Sequence, residues 1–172
     1  MDKITFKNGS QPVLNDKSLN QLQTNIENAI NTVTEKKAFI NAYIENNQEI
    51  SRGDNFTINL ETSDSLGDYF ELTNKTIKVL KDCTAIISGN VFVDKTAGED
   101  YIYLKININN KKFSSMLTRI INRDYTTAGI PGKAVSLKAG DIIDMKIDYT
   151  SDSGNPTIRS SHDNTFLSVV KI

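Results

Sequence analysis

The sequence predicts a mainly β protein, with an amino-terminal α-helical coiled-coil stem followed by a carboxy-terminal antiparallel jelly-roll β-sandwich. Residues 17 to about 50 contain neither Gly nor Pro, and their apolar residues are spaced as in a helix. From Gly53 onward, runs rich in Val, Ile, Thr, Phe and Tyr alternate with polar residues between Gly-containing turns, which is typical of a sandwich or jelly roll. We therefore expect an amino-terminal segment over 1–16, the stem over 17–52 and the head domain over 53–172.

The predicted stem begins at a capping box formed by Ser18 and Gln21. Its apolar residues then follow a heptad repeat, which is the pattern of a coiled coil, and about 34 residues would span roughly 50 Å. An alternative is one amphipathic helix, or two with a break, packed against the β domain. The residues expected in the oligomer seam are Leu19, Leu22, Ile26, Ala29, Val33, Ile40, Tyr43 and Ile50.

The predicted head consists of strands separated by turn signals such as Asn109-Asn110 and Ala139-Gly140-Asp141. Apolar residues face one way along several of these strands, as Ile143, Met145 and Ile147 do. The expected strands are 56–60, 69–72, 76–81, 84–93, 101–109, 112–122, 134–137, 141–149 and 165–172.

Composition argues against several classes of partner. The 172 residues carry 20 basic and 21 acidic side chains, for a formal net charge of −1, and no run of Lys and Arg is present. Proteins that bind nucleic acid or a membrane surface usually have a basic excess or patch, so neither partner is expected. No stretch approaches the roughly 18 to 20 apolar residues that a spanning helix needs. The terminus lacks the pattern of a secretory signal.

No catalytic or metal-binding motif is recognisable, so we expect neither an enzyme nor a cofactor. His162 is the single histidine and Cys83 the single cysteine, and nothing around either residue indicates a catalytic dyad. Acidic pairs such as Glu99-Asp100, or Asp152 with Asp163, could supply oxygen ligands to calcium. Without a calcium-loop pattern, solvated loop acids are the favoured interpretation, and no metal site is predicted.

Two long polar segments, 122–133 and 151–164, are the candidates for ligand binding, because binding residues often lie on loops of a rigid β scaffold. Their side chains could stack on a sugar and form hydrogen bonds with it, although polarity is expected of any loop. The candidate ligand-binding residues are Arg123, Asp124, Tyr125, Asp152, Asn155, Arg159, His162 and Asp163.

The head resembles a known family. Residues 69–79 and 84–93 are similar to the early strands of complement-type globular heads. Residues 103–110 resemble the central strand of that family, 135–143 its "Ala-Gly-Asp" strand pair, and 165–172 its closing strand. This resemblance implies the ten-stranded jelly roll of the tumour necrosis factor superfamily. It also implies a trimer.

The amino-terminal part, Lys3 to Gly9 and Leu19 to Ile30, looks like the start of tail and baseplate fibre proteins from phages of Gram-positive bacteria. The resemblance implies that residues 1–16 dock onto other virion proteins and that the stem opens a homotrimer. It further implies a receptor-binding protein that is assembled in the bacterial cytoplasm, carried on the virion and attached to a host wall polysaccharide. A purely structural virion part, such as a head fibre or tail spacer without a receptor, is the alternative.

Overall fold

The computed structural model describes residues 16–35, 38–50, 53–94, 99–121, 125–150, 156–160 and 163–172. The chain divides between Lys37 and Ala38 into two compact units, and each is considered by itself. Within the described ranges, no helix combines the length and the apolar character that crossing a bilayer requires.

The described part of the first unit is one helix, α1, over Asp16–Glu35, which begins two residues before the predicted cap. Apolar residues at spacings of three and four fall on one side of a helix. In α1 these are Leu19, Leu22, Ile26 and Ile30, between 47% and 58% exposed in the single chain. We call them the helix stripe.

The predicted helix is too long, because residues 38–50 belong to the β unit. Strand β1 spans Phe39–Tyr43 and β2 spans Gln48–Glu49. The assigned seam residues Ile40 and Ile50 are fully buried in the core of that unit, and Tyr43 lies in β1. The buried residues are Ala38, Ile40, Ala42 and Ile44, every second position as in a strand, while Tyr43 lies on the opposite face. The heptad fit of Ile40 and Tyr43 is therefore coincidental. The head therefore begins at Ala38, not at Gly53.

Two antiparallel sheets form the second unit. Sheet A has the order β2-β12-β7-β13-β1-β4, with β10 also paired to β7, and sheet B has the order β5-β6-β11-β8-β9, with β3 paired to β11. The remaining strands are β3 Gly53–Thr57, β4 Thr62–Leu66, β5 Phe70–Thr73, β6 Thr76–Val79, β7 Cys83–Asp94, β8 Glu99–Ile108, β9 Lys111–Ile121, β10 Tyr125–Leu137, β11 Ile142–Thr150, β12 Thr157–Ile158 and β13 Phe166–Lys171.

The core lies between the two sheets and is filled by every second residue of the long strands. On β8, for example, Ile102, Leu104 and Ile106 are fully buried. Gly89 of β7 stands in this layer, where a Cβ atom would lie 3.1 Å from the Sδ atom of Met145. A side chain at that position would therefore crowd Met145 and its neighbours in the core.

Most predicted strands have a counterpart, and the Asn109-Asn110 turn is confirmed. Both asparagines have positive φ, 53° and 61°, and join β8 to β9 as a two-residue hairpin. The predicted loop over 122–133 is wrong in part, because β10 begins at Tyr125 and pairs with β7. Pro131 is tolerated within β10 because the register shifts between Ile130 and Lys133, where no regular ladder bond is required.

Candidate functional site

The outward face of sheet A carries a row of apolar side chains that crosses five strands. Directly opposed residues of an antiparallel sheet share a face. The pairings join Leu66 to Phe39, Phe39 to Val170, Val170 to Ile86 and Ile86 to Ala134. We call these five residues the apolar band. In the single chain Leu66, Ile86 and Val170 are 46%, 37% and 42% exposed.

Beyond the band, the outward residues on the central strands β1, β13 and β7 are uncharged as far as Tyr43, Phe166 and Asn90. Phe166 of β13 is paired with Tyr43 of β1 and with Asn90 of β7, and Asn90 is also paired with Gly129 of β10. A Cβ atom at Gly129 would lie only 2.8 Å from Oδ1 of Asn90, so this glycine makes room for the amide. The amide in turn donates from Nδ2 to the backbone oxygen of Asn164 at 2.5 Å. The centre of the face is thus polar or aromatic but uncharged.

The outward face of sheet B is different, because its charges are numerous and paired. Lys105 of β8 is 8% exposed, and its Nζ lies 2.5 Å from Oδ1 of Asp148 and 2.7 Å from Oδ1 of Asn55. Asn107 donates to Asp144 at 2.7 Å, and both side chains are nearly buried. The two faces of the sandwich therefore differ in their affinity for water. The face of sheet A is the one that another protein surface could cover at little electrostatic cost.

At the carboxyl end of β7, sheet A carries a second group of side chains, which we call the β7-end cluster: Phe92, Asp94, Tyr125 and Arg159. In the sheet, Asp94 is paired with Tyr125 of β10 on one side and with Thr157 of β12 on the other. Both Nε and Nη2 of Arg159 contact Oδ2 of Asp94. The residue Asp94 is only 8% exposed, and its Oδ1 is buried without a hydrogen-bond partner within the described part of the chain.

The backbone of Arg159 is held by two hydrogen bonds, and a third joins their partners Phe92 and Thr165. Its N–H donates to the carbonyl oxygen of Phe92 at 3.0 Å, and its own carbonyl oxygen accepts from the hydroxyl of Thr165 at 3.0 Å. The same hydroxyl accepts from the N–H of Phe92 at 3.1 Å, and Thr165 is fully buried. Arg159 is therefore fixed at both its backbone and its guanidinium group.

The cluster also presents an aromatic ring. Tyr125 is 61% exposed. The centroid of its ring lies 5.6 Å from the centroid of the Phe92 ring, and the two ring planes are inclined by 31°. This tilted contact supports one side of the tyrosine ring and leaves much of the side chain open to solvent.

The sequence-based candidates are only partly brought together. Tyr125 and Arg159, from the two separate polar segments, both neighbour Asp94 at the end of β7: Tyr125 is paired with it across the sheet, and Arg159 contacts its carboxylate. Asp163 lies in the exposed turn that precedes β13. The other candidates lie outside the described residues: Arg123, Asp124, Asp152, Asn155 and His162. Asp94 and Phe92 were missed, because they end an alternating strand and nothing in the local sequence marks them as a site.

Cys83, the single cysteine of the sequence, is not activated as a nucleophile. Burial raises the pKa of the Cys83 thiol, against the opposing effect of the Lys171 ammonium, so the thiol is protonated at neutral pH. No group of three or more His, Cys, Asp or Glu side chains is placed to hold a metal ion in the ranges that the structure describes.

Comparison with known proteins identifies the fold of the β unit. No protein-family model matches the chain, and no curated protein is significantly similar to it in sequence. The crystal structure of murine APRIL at pH 5.0 is similar, with a TM-score of 0.62 and 16% identity over 80% of this chain and 100% of that chain. The structure of Eiger TNF from S. frugiperda has a TM-score of 0.56 and 10% identity over 78% and 91% of the two chains. The chain thus contains a tumour-necrosis-factor-like jelly roll.

Proposed function

We propose that the protein is a virion fibre subunit that acts as a receptor-binding protein. It forms a homotrimer and attaches the particle to the host cell surface, where it binds a wall carbohydrate. The observation that carries this proposal is the combination of an exposed helix stripe on α1 with an exposed, uncharged apolar band on a jelly-roll head.

The helix stripe supports self-association of the amino-terminal unit. Leu19, Leu22, Ile26 and Ile30 are each about half exposed, although full burial of such a side chain contributes roughly 1.5–3 kcal/mol. Leu19, Leu22 and Ile26 follow the heptad spacing of helices that pack side by side, and Ile30 lies next to that seam. Val33 continues the same spacing near the end of α1. A coiled coil of copies of this chain would bury the whole stripe.

The apolar band supports self-association of the head. Five neighbouring strands at about 4.8 Å give a band roughly 19 Å wide. Next to the band, the outward residues Asn41, Ser168 and Ser88 are uncharged. Charges of this face lie at its margins: Asp64 on the edge strand β4, and Asp94 with Arg159 at the end of β7. The jelly-roll resemblance implies a trimer, and both surfaces would be covered in the same assembly.

The action of such a protein is adhesion without enzymatic activity. Three identical sites on one trimer bind a repetitive polymer more strongly than one site does, because each further contact forms at a high effective concentration. Residues 1–16 would dock onto other virion proteins. The particle, not the isolated subunit, is then the working form.

Two measurements, made one after the other, test the proposal. Light scattering after size exclusion should give three times the chain mass of 19.2 kDa, about 58 kDa, and a mass of 19.2 kDa would contradict the fibre interpretation. The full chain should then sediment with purified cell walls of a Gram-positive host. A trimer that binds no such wall would instead favour a purely structural virion part, such as a head fibre or tail spacer.

A further inference from the structure

We propose that the β7-end cluster is a subsite for a neutral, hydroxyl-rich sugar, with Tyr125 and Arg159 as the contacting residues and Asp94 as the positioning residue. This inference rests on the proposed adhesive function and specifies where and what the head binds. The two contacting residues come from separate polar segments of the sequence, and β7 brings them together.

The guanidinium of Arg159 is prepared to donate hydrogen bonds to a ligand. Of its five N–H donors, those on Nε and Nη2 contact Asp94, and no other described side chain accepts a hydrogen bond from this group. The side chain is 44% exposed, so donors remain accessible. Because the carboxylate and the backbone contacts already fix the arginine, a ligand would lose little affinity to ordering it.

The charge of the cluster indicates what kind of ligand it suits. Asp94 places a full negative charge in contact with the Arg159 guanidinium, so the pair is neutral as a whole. An anionic group such as a phosphodiester would approach the arginine and the carboxylate together, and the attraction and repulsion would largely cancel. Sugar hydroxyls need no net charge and can accept from the arginine.

Tyr125 supplies the apolar part of the subsite. A pyranose has one face made mostly of C–H groups, and such a face packs on an exposed aromatic ring while its hydroxyls reach polar neighbours. The Tyr125 ring is exposed, is supported by Phe92, and stands on the residue registered with Asp94. Stacking and hydrogen bonding can thus act on one sugar unit.

The unpartnered oxygen of Asp94 indicates that this arrangement is not explained by folding alone. Buried polar atoms nearly always have a hydrogen-bond partner, and exceptions call for an explanation. Oδ1 of Asp94 is buried and has none within the described residues, whereas Oδ2 holds the arginine. We attribute the unsatisfied Oδ1 to the role of Asp94 at the site: the carboxylate is needed there to hold Arg159, although one of its oxygens has no partner.

The test uses full-length protein with three variants, Tyr125→Ala, Arg159→Gln and Asp94→Asn, and the matched control Tyr101→Ala. Tyr101 is also an exposed tyrosine, 41% exposed, but it lies on β8 in sheet B. The probes are a dephosphorylated neutral wall polysaccharide and a polyol-phosphate polymer from the same host. Affinity is measured by calorimetry and the mass of each variant by light scattering.

We expect the wild type and Tyr101→Ala to bind the neutral probe alike, and Tyr125→Ala and Arg159→Gln to bind it at least about ten-fold more weakly as intact trimers. Wild-type affinity should change little between about 50 and 500 mM salt, since a neutral ligand is not screened. Asp94→Asn should weaken binding with Arg159 still present, and the stability of this variant is checked by urea unfolding.

Three outcomes would overturn the inference. Normal binding of the neutral probe by both Tyr125→Ala and Arg159→Gln would place the sugar site elsewhere and leave the adhesive function intact. Preference of the wild type for the phosphate polymer would contradict the ligand class. Dissociation of either variant into monomers would make the cluster part of the subunit contact. Failure of the wild type to bind any host wall would instead contradict the proposed function itself.

Discussion

Lys105 and Asp148 form a nearly buried ion pair on the outward face of sheet B, in which the Nζ atom lies 2.5 Å from Oδ1 and 2.7 Å from Oδ2. Asn55, with a positive φ of 62°, donates its backbone N–H to the same Oδ1 at 2.6 Å and accepts from Lys105 through its own side chain. The pair therefore connects three neighbouring strands: β3, β8 and β11.

Removing one member of this pair should destabilise the head. The Lys105 and Asp148 side chains are 10% and 19% exposed, so Asp148→Ala would leave a nearly buried ammonium without its counter-charge. We expect a loss of about 3 kcal/mol in the free energy of unfolding, measured with urea. Lys138→Ala, which breaks the well-exposed Lys138–Asp82 pair, is the control and should be indistinguishable from the wild type. Equal effects of the two changes would contradict the role assigned to burial.

The apolar band should be needed for association of the head. Ile86→Lys places an ammonium group inside the band, between Val170 and Ala134, where a covering surface would have to remove its water. We expect the fraction of monomer on dilution to rise, as measured by light scattering. Leu117→Lys introduces the same charge on β9 of sheet B, at a residue that is 58% exposed, and should leave the mass unchanged. If the two variants dissociate alike, the band is not the interface.

The helix stripe should be needed for a stable α1. An isolated helix of 20 residues is marginal in water, so its helicity should depend on packing between copies. We expect Ile26→Asp to lower both the circular dichroism at 222 nm and the trimer fraction. Asn28→Asp introduces the same charge two residues along α1, roughly 200° around the helix from Ile26 and so away from the stripe, and should change neither. Unchanged helicity in Ile26→Asp would show that the stripe is not packed.

Acid should weaken the head through Glu61. Its burial favours the protonated form, but hydrogen bonds from the N–H groups of Asn46 and Glu45 prevail and hold the pKa of Glu61 below the ordinary value of 4.5. Because the folded-state pKa is lowered, this contribution is present above about pH 4.5 and is lost as pH falls through the folded-state value. Urea midpoints should therefore fall on acidification, and less steeply in Glu61→Gln. The same slope in both proteins would contradict the assignment.

The alternating strands were the most predictable part of the fold, because a half-buried strand shows its period directly. Ile143, Met145 and Ile147 are all fully buried, as their spacing predicts. Residues 38–50 were misassigned, since Ile40 and Tyr43 continue the heptad of α1 while their burial is decided by a sheet built from distant strands.

The candidate site was predictable only in its contacting residues. Tyr125 and Arg159 stood out as an aromatic and a basic residue in polar segments. The partner that fixes the arginine is Asp94, 65 residues earlier in the chain, and no local pattern relates the two. The jelly-roll pairing of β7 with both β10 and β12 creates the site, so it becomes visible only when the topology is known.

The position of β13 has a consequence for biosynthesis. Phe166–Lys171 lies between β1 and β7, and its residues pair with Phe39–Tyr43 and with Ala85–Asn90. On the ribosome, β1 emerges more than a hundred residues before the strand that will lie beside it. Contacts so distant along the chain form slowly. Sheet A therefore closes only after β13 has been synthesised, and until then the nascent head exposes strand edges that a chaperone or a neighbouring chain could occupy.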